Sequence, residues 1–172
     1  MSADRPVVAL YADGGLLQSN PSPIAGMWAW CHVDADGWRV DEASGILTPA
    51  DVAASGVTNH HTETYALLAG LEALPESWSG KVCSDSKNAL RVFFGEGSLK
   101  KLPASWHRRI GAALRRLGPV EAIRLDGHPT KAQLAAGVGK RGGPVSPHNV
   151  YVDRLCTRTG ERFMLTRRAV AS

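Results

Sequence analysis

The stretch Val7-Val-Ala-Leu-Tyr-Ala-Asp13-Gly-Gly15 decides how the rest of the chain is read. Six apolar or aromatic residues in a row fit a buried strand, and an acid followed by two glycines fits its end at a turn. Working outward, residues 24–32 and 38–47 are further extended segments. Asp34-Ala-Asp-Gly37 lies between them and reads as a turn, so the pair forms a hairpin. The period then changes. Leu67, Leu68, Leu71 and Leu74 recur at helical spacing, with Thr58 or Asn59 as the cap and Pro75 at the end. Lys81-Val-Cys-Ser84 is a fourth short strand, and it too runs into an acid, Asp85. Ser86 caps a helix to Phe94. A basic amphipathic helix over 103–117 and a strand over 120–125 follow. Residues 127–148, rich in Gly, Pro and Lys/Arg, read as a long loop with a helical turn at 131–136. A last helix over 149–162 carries Val152, Leu155 and Cys156 inward, and 163–172 reads as a loose C-terminal tail.

Strands joined by hairpins pair antiparallel, and strands separated by helices pair parallel. The expected architecture is therefore α/β, a mixed five-stranded sheet flanked by helices. The length of 172 residues fits one domain over 1–162, with 130–147 as a basic loop insert. A 44% hydrophobic and 21% charged composition excludes disordered, collagen-like and coiled-coil chains. No apolar run approaches the roughly 20 residues of a membrane span, and the first residues show no apolar signal region. Cys31, Cys83 and Cys156 make no C-x-x-C pair, which argues against a disulfide framework or a cysteine zinc site. A reducing, cytoplasmic setting is expected.

Charge is split along the chain. Residues 1–86 hold 3 Lys/Arg and 11 Asp/Glu, whereas residues 87–172 hold 17 and 5. A basic half of this size is the footprint of a polyanion partner, or else the solvated faces of basic helices. Against it stand four acids on separate elements. Asp13 and Asp85 follow strands, where α/β sheets present side chains to ligands. Glu63 falls in the first turn of the first long helix, and Asp153 one turn into the last. Taken singly, such acids are turn residues, caps or surface charges. Taken together, converging carboxylates repel, and a hard divalent cation relieves that repulsion with oxygen ligands. Two such ions suit phosphodiester hydrolysis.

The strings around these acids carry a resemblance. Tyr11-Ala-Asp13-Gly-Gly with Asn20-Pro-Ser-Pro23, Thr58-Asn-His-His-Thr-Glu63, Cys83-Ser-Asp85-Ser, Gly127-His128-Pro129 and Asn149-Val-Tyr-Val-Asp153 stand in one order over residues 7–156. In that order and context they resemble the type-I ribonuclease H family. The resemblance implies an endoribonuclease that cuts the RNA strand of RNA/DNA hybrids, leaving 5′-phosphate and 3′-hydroxyl ends. It implies two Mg²⁺ or Mn²⁺ ions held by Asp13, Glu63, Asp85 and Asp153, with Glu63 near a ribose 2′-hydroxyl. Asn20, Asn59, His60 and Asn149 match substrate-contacting positions. His128 matches the histidine that moves protons, with His148 as its rival. The insert between His128 and Asn149, 20 residues, is longer than in bacterial members. The family's basic protrusion is partly matched by Lys100, Lys101, Trp106, Arg108 and Arg109, although Trp106 also suits a core position. The expectation is a monomer that binds hybrid and no membrane. Another nuclease on this fold, a junction resolvase or an exonuclease, and a catalytically silent nucleic-acid-binding module are the alternatives.

Overall fold

The computed structural model describes residues 5–171. The elements in chain order are β1 (Val7–Leu16), β2 (Gly26–Asp34), β3 (Arg39–Leu47), α1 (Asn59–Glu72), β4 (Gly80–Ser84), α2 (Lys87–Phe94), α3 (Ala104–Arg116), β5 (Val120–Arg124), α4 (Lys131–Ala136) and α5 (Pro147–Ala171). The strands make one sheet in the order β3-β2-β1-β4-β5. β2 pairs antiparallel with β1 and β3, whereas β4 pairs parallel with β1 and β5. This is the mixed five-stranded sheet expected from the sequence, with β1 at its centre.

Alternation along β1 sends side chains to two cores. Leu10 and Ala12 join Leu67, Leu68 and Leu71 of α1, Phe93 of α2 and Ile110 of α3. Ala9 faces the other way and joins Met27, Ala29 and Cys31 of β2 with Val152 and Cys156 of α5. Leu67 and Leu68 are fully buried, and a leucine so placed stabilises by about 1.5–3 kcal/mol relative to an exposed one. Thr58 caps α1: its hydroxyl accepts from the His61 backbone N–H at 3.2 Å, and its own N–H donates to His61 Nδ1 at 3.1 Å.

Two local expectations are corrected. β1 does not stop at Asp13 but runs to Leu16, because Gly14 and Gly15 pair with Trp28 and Met27 of β2. The last helix does not end at 162 with a loose tail behind it. Pro147 takes the first helical positions, where a missing N–H costs little, and the helix continues to Ala171. No Pro or Gly follows Gly160 to stop it, and Thr166 Oγ1 donates back to the Arg162 carbonyl at 3.1 Å. Within the 130–147 insert, the helical turn expected at 131–136 is present as α4. Thr130 and Gln133 form a capping box on α4, Gly137 turns the chain at φ 73°, and Val138 bridges Pro144. Among the described residues, no helix is long and apolar enough to cross a membrane.

Candidate active site

The parallel pairing of β1 with β4 ends at Tyr11 opposite Cys83. Two residues further along that register are Asp13 and Asp85, so both acids border the gap where the strands part. Asp13 lies inside β1, opposite Ala29 of β2, and is 6% exposed. Gly14 explains how Glu63 reaches it. A Cβ there would lie 2.5 Å from Thr62 Oγ1 and from the Glu63 backbone nitrogen. Only glycine lets the start of α1 seat this closely on β1. Glu63 is in the second turn of α1 rather than the first, which holds no acid. From the other face α5 brings Asp153, and Cys156 one turn on donates from Sγ to the Asp13 carbonyl at 3.4 Å.

Asp13, Asp85, Asp153 and His128 line one cleft of about 280 Å³, with Asn149 and Arg154 beside them and Pro129 and Val150 in its wall. Burial pushes the Asp13 carboxyl well above the ordinary carboxylate range, and the charges of Asp85, Asp153 and Glu63 push the same way. The Gly14 N–H, donating to Asp13 Oδ1 at 2.8 Å, opposes them. Burial likewise raises Asp85; His128 and a hydrogen bond from Asn149 pull it back, while Asp153 adds to the rise. Glu63 is raised by burial and by Asp85, against the Ser86 hydroxyl, which donates to Glu63 Oε2 at 2.6 Å. Ser86 also caps α2, so one side chain fixes both a helix start and a carboxylate.

His128 sits at φ 50°, with its ring mostly exposed and Nδ1 3.9 Å from Asp153 Oδ2. His148 is elsewhere. Its ring packs on Tyr11 at 5.1 Å between centroids and does not line the cleft. Asn149 is 3% exposed, and its Oδ1 is buried without a partner. It lines the cleft beside the Asp85 carboxylate.

The donor set suits a hard divalent cation. It is all carboxylate, its charges repel, and an unpartnered amide oxygen lies next to it. As the side chains stand, however, no three His, Cys, Asp or Glu among the described residues converge closely enough to hold a metal ion. Ser86 accounts for part of that spread, since it binds Glu63, which does not line the cleft.

The remaining expected contacts divide. Asn20 and Asn59 are exposed, and the Ser22–Val57 backbone pairing, 2.7 and 2.8 Å, ties the turn of Asn20 to the start of α1. His60, Lys100 and Lys101 together line two adjoining clefts of about 520 and 560 Å³. The lysine loop is held by backbone carbonyls: His61 Nε2 bonds Lys101 O at 2.9 Å, and His107 Nε2 bonds Leu99 O at 2.8 Å. His61 Nδ1 accepts from Thr58, so Nε2 carries the proton and donates. Trp106 is not a substrate contact. It is 4% exposed and packs between Tyr65 and His61, so its ring belongs to the core. Arg109 is taken as well, by a two-pronged pair with Glu72 at 2.6 and 2.8 Å.

Sequence reading missed Arg154 and the second task of Ser86. Arg154 directly follows Asp153 and could have been found from that adjacency. Ser86 was legible only as a cap. A larger apolar cleft of about 610 Å³, lined by Leu16, Met27 and Met164 among others, holds none of the four acids. Chemistry rather than volume therefore marks the site.

No family model and no curated protein matches the chain. Solved structures do. The N-terminal RNase H domain of a Mycobacterium tuberculosis protein, solved as a fusion with maltose-binding protein, is 19% identical with a TM-score of 0.56; the match covers 93% of this chain and 99% of that one. An RNase H1 isolated from compost by a metagenomic approach is 18% identical over 91% and 96%, with a TM-score of 0.57. RNase H1 from the halophilic archaeon Halobacterium salinarum is 22% identical over 68% and 85%, with a TM-score of 0.51. At these identities the likeness is one of backbone, and its strand order and helix placement give this chain a ribonuclease H-like α/β fold.

Proposed function

We propose that the protein is a divalent-metal-dependent endonuclease that hydrolyses the RNA strand of RNA/DNA hybrids. The observation that carries this reading is the meeting of Asp13, Asp85 and Asp153 with His128 in one cleft on a ribonuclease H-like sheet. Asp13, Asp85, Asp153 and Glu63 would hold two Mg²⁺ or Mn²⁺ ions. When bound, such a pair stabilises the attacking and leaving oxygens of an in-line phosphoryl displacement. Asp13 is the most buried of the four and stands in their midst, which suits it to be shared by both ions. Asn149 orients the Asp85 carboxylate by donating to it.

His128 is exposed at the rim and faces Asp153, a position from which an imidazole can take or return a proton at the scissile phosphate. Glu63 would sense a ribose 2′-hydroxyl. Asn20, Asn59 and His60 would meet the groove of the duplex, and Lys100 and Lys101 its phosphates. Arg154, exposed in the cleft wall, would contact the phosphate next to the scissile one. The fold acts as a single catalytic domain and as a monomer.

A specific observation favours a second reading, a hybrid-binding module without turnover: the acids do not converge closely enough as they stand to hold an ion. One assay separates the two. Labelled RNA/DNA, RNA/RNA, DNA/DNA and singly ribonucleotide-substituted DNA duplexes are incubated with Mg²⁺, with Mn²⁺ and with EDTA. Metal-dependent cutting of the RNA strand in the hybrid is the expected result. Binding to hybrid with no cutting under either metal would support the silent module instead.

A further inference from the structure

The long insert between His128 and Asn149 returns to the point it left. It does so around one buried carboxylate, Asp126, two residues before His128. Asp126 Oδ2 accepts from the Arg141 backbone N–H at 2.7 Å and from the Gly143 N–H at 3.4 Å, while Oδ1 accepts from Arg141 Nε at 3.2 Å. The Asp126 backbone N–H donates to the Pro144 carbonyl at 2.8 Å. The returning turn is shaped to this side chain. A Cβ on Gly139 or Gly143 would strike the Asp126 carboxyl, and Gly142 turns at φ 79°. Just ahead, the preceding Leu125 N–H is pinned to the Ser84 carbonyl of β4 at 2.9 Å.

His128 depends on this arrangement. Its ring is 83% exposed, and its Nδ1 is 3.9 Å from Asp153 Oδ2, beyond hydrogen-bond reach. Side-chain packing therefore does not hold it; its backbone does. That backbone is in the left-handed region at φ 50°, a conformation that costs free energy and persists only where the surroundings over-determine it. Gly127, immediately before, runs so close over Asp85 that a Cβ would strike its carboxylate. Asp126 is the anchor behind that pass.

We propose that Asp126 is a positioning residue for His128: by closing the insert on itself, it fixes the imidazole over Asp85 and Asp153 before substrate arrives. The inference rests on the nuclease reading of the cleft. It asks nothing of Asp126 at the reacting atoms, which it does not face, and makes the basic loop insert a brace for a catalytic side chain. Preorganisation of this kind lowers the cost of reaching the reactive geometry and so acts on kcat.

The test is a double-mutant cycle on the full chain with hybrid substrate and Mg²⁺, using Asp126→Ala, His128→Ala and the double variant. Asp126→Ala should lower kcat about tenfold or more with KM changed less than about twofold, and should add no further loss in the His128→Ala background. A loss that multiplies equally in both backgrounds, or no loss, would overturn the inference. Should Asp126→Ala fail to fold, Asp126→Asn and Arg141→Ala weaken the same clamp and should give smaller losses with the same non-additivity. Trypsin supplies a readout apart from turnover: cleavage after Lys140 should be faster in Asp126→Asn than in the wild type, and equal rates would count against the brace. Wild-type protein that cuts no hybrid under any metal would overturn the functional reading and this inference with it. Wild-type cutting that Asp126→Ala leaves intact would overturn the inference alone.

Discussion

The most informative single residue is Asp13. Its carboxyl is nearly sealed from water, and three other carboxylates bear on it. A buried charge so placed destabilises the metal-free fold, and its raised folded-state pKa gives the sign of the effect. Between the ordinary carboxyl value of about 4 and their raised folded values, Asp13, Asp85 and Glu63 bind protons more tightly in the folded than in the unfolded chain. Stability contributed by that difference is present at low pH and is lost as pH rises through the folded values. In EDTA, the unfolding midpoint should therefore fall with rising pH over that range more steeply in the wild type than in Asp13→Asn. Mg²⁺ should restore the wild-type midpoint, and the gain should grow with pH. A midpoint indifferent to Mg²⁺ at neutral pH would contradict the assigned ligands. Cleavage makes the complementary prediction. Asp13→Asn or Asp85→Asn should abolish hybrid hydrolysis while circular dichroism stays that of the wild type, and retained turnover in purified Asp13→Asn would exclude Asp13 as a ligand. His128→Ala should retain hybrid affinity and lose about 10²-fold or more in kcat, the usual size of a proton-transfer contribution.

At the scale of elements, the site depends on one close approach. A Cβ on Gly14 of β1 would collide with the backbone of Thr62 and Glu63 at the start of α1. Gly14→Ala puts a methyl group where backbone already lies, and α1 must lift. Overpacking of this kind costs about 1–3 kcal/mol. The lift also carries Glu63 away from Asp13, so hydrolysis should fall out of proportion to stability. Gly15→Ala is the control, since its Cβ would meet only the flexible end of Met27 at 3.2 Å. Measuring thermal midpoints and kcat for both variants checks the point; equal effects at Gly14 and Gly15 would refute it. At the same scale, the basic composition of α3 is partly spent inside the protein. Arg109 is paired with Glu72, and Arg116 donates to the carbonyls of Glu72 and Leu74 at the end of α1. These arginines join helices to one another.

Across the whole molecule, the free cations are what a polyanion can use. Lys100 and Lys101 are exposed, beside His60, on a loop pinned by His61 and His107. Each phosphate contact releases counterions, so affinity for hybrid should fall with salt. Lys100→Ala and Lys101→Ala should each reduce the slope of log affinity against log salt by about one unit, with kcat nearly unchanged. Titration of a labelled hybrid at several salt concentrations measures this directly. Unaltered slopes would move the binding face elsewhere, the basic outer side of α5 being the next place to test.

What the sequence determined by itself was the periodic part. Leucines at helical spacing marked α1, apolar runs before Asp13 and Asp85 marked β1 and β4, and hairpin turns marked the antiparallel half of the sheet. Order and spacing also brought out the four acids, because the motifs around them are local strings. Tertiary structure decided what depends on contacts between distant segments. Gly14 and Gly15 read as a turn, yet they are strand, because β2 pairs with them and α1 needs the space of the missing Cβ. Trp106 read equally as surface or core, and packing on Tyr65 made it core. The insert read as a loop, and only Asp126 meeting residues 141 and 143 closed it. The choice between His128 and His148 was likewise open in the sequence, and the cleft wall contains only the first. Periodicity is a property of neighbours along the chain, whereas burial, close approach and pairing belong to neighbours in space.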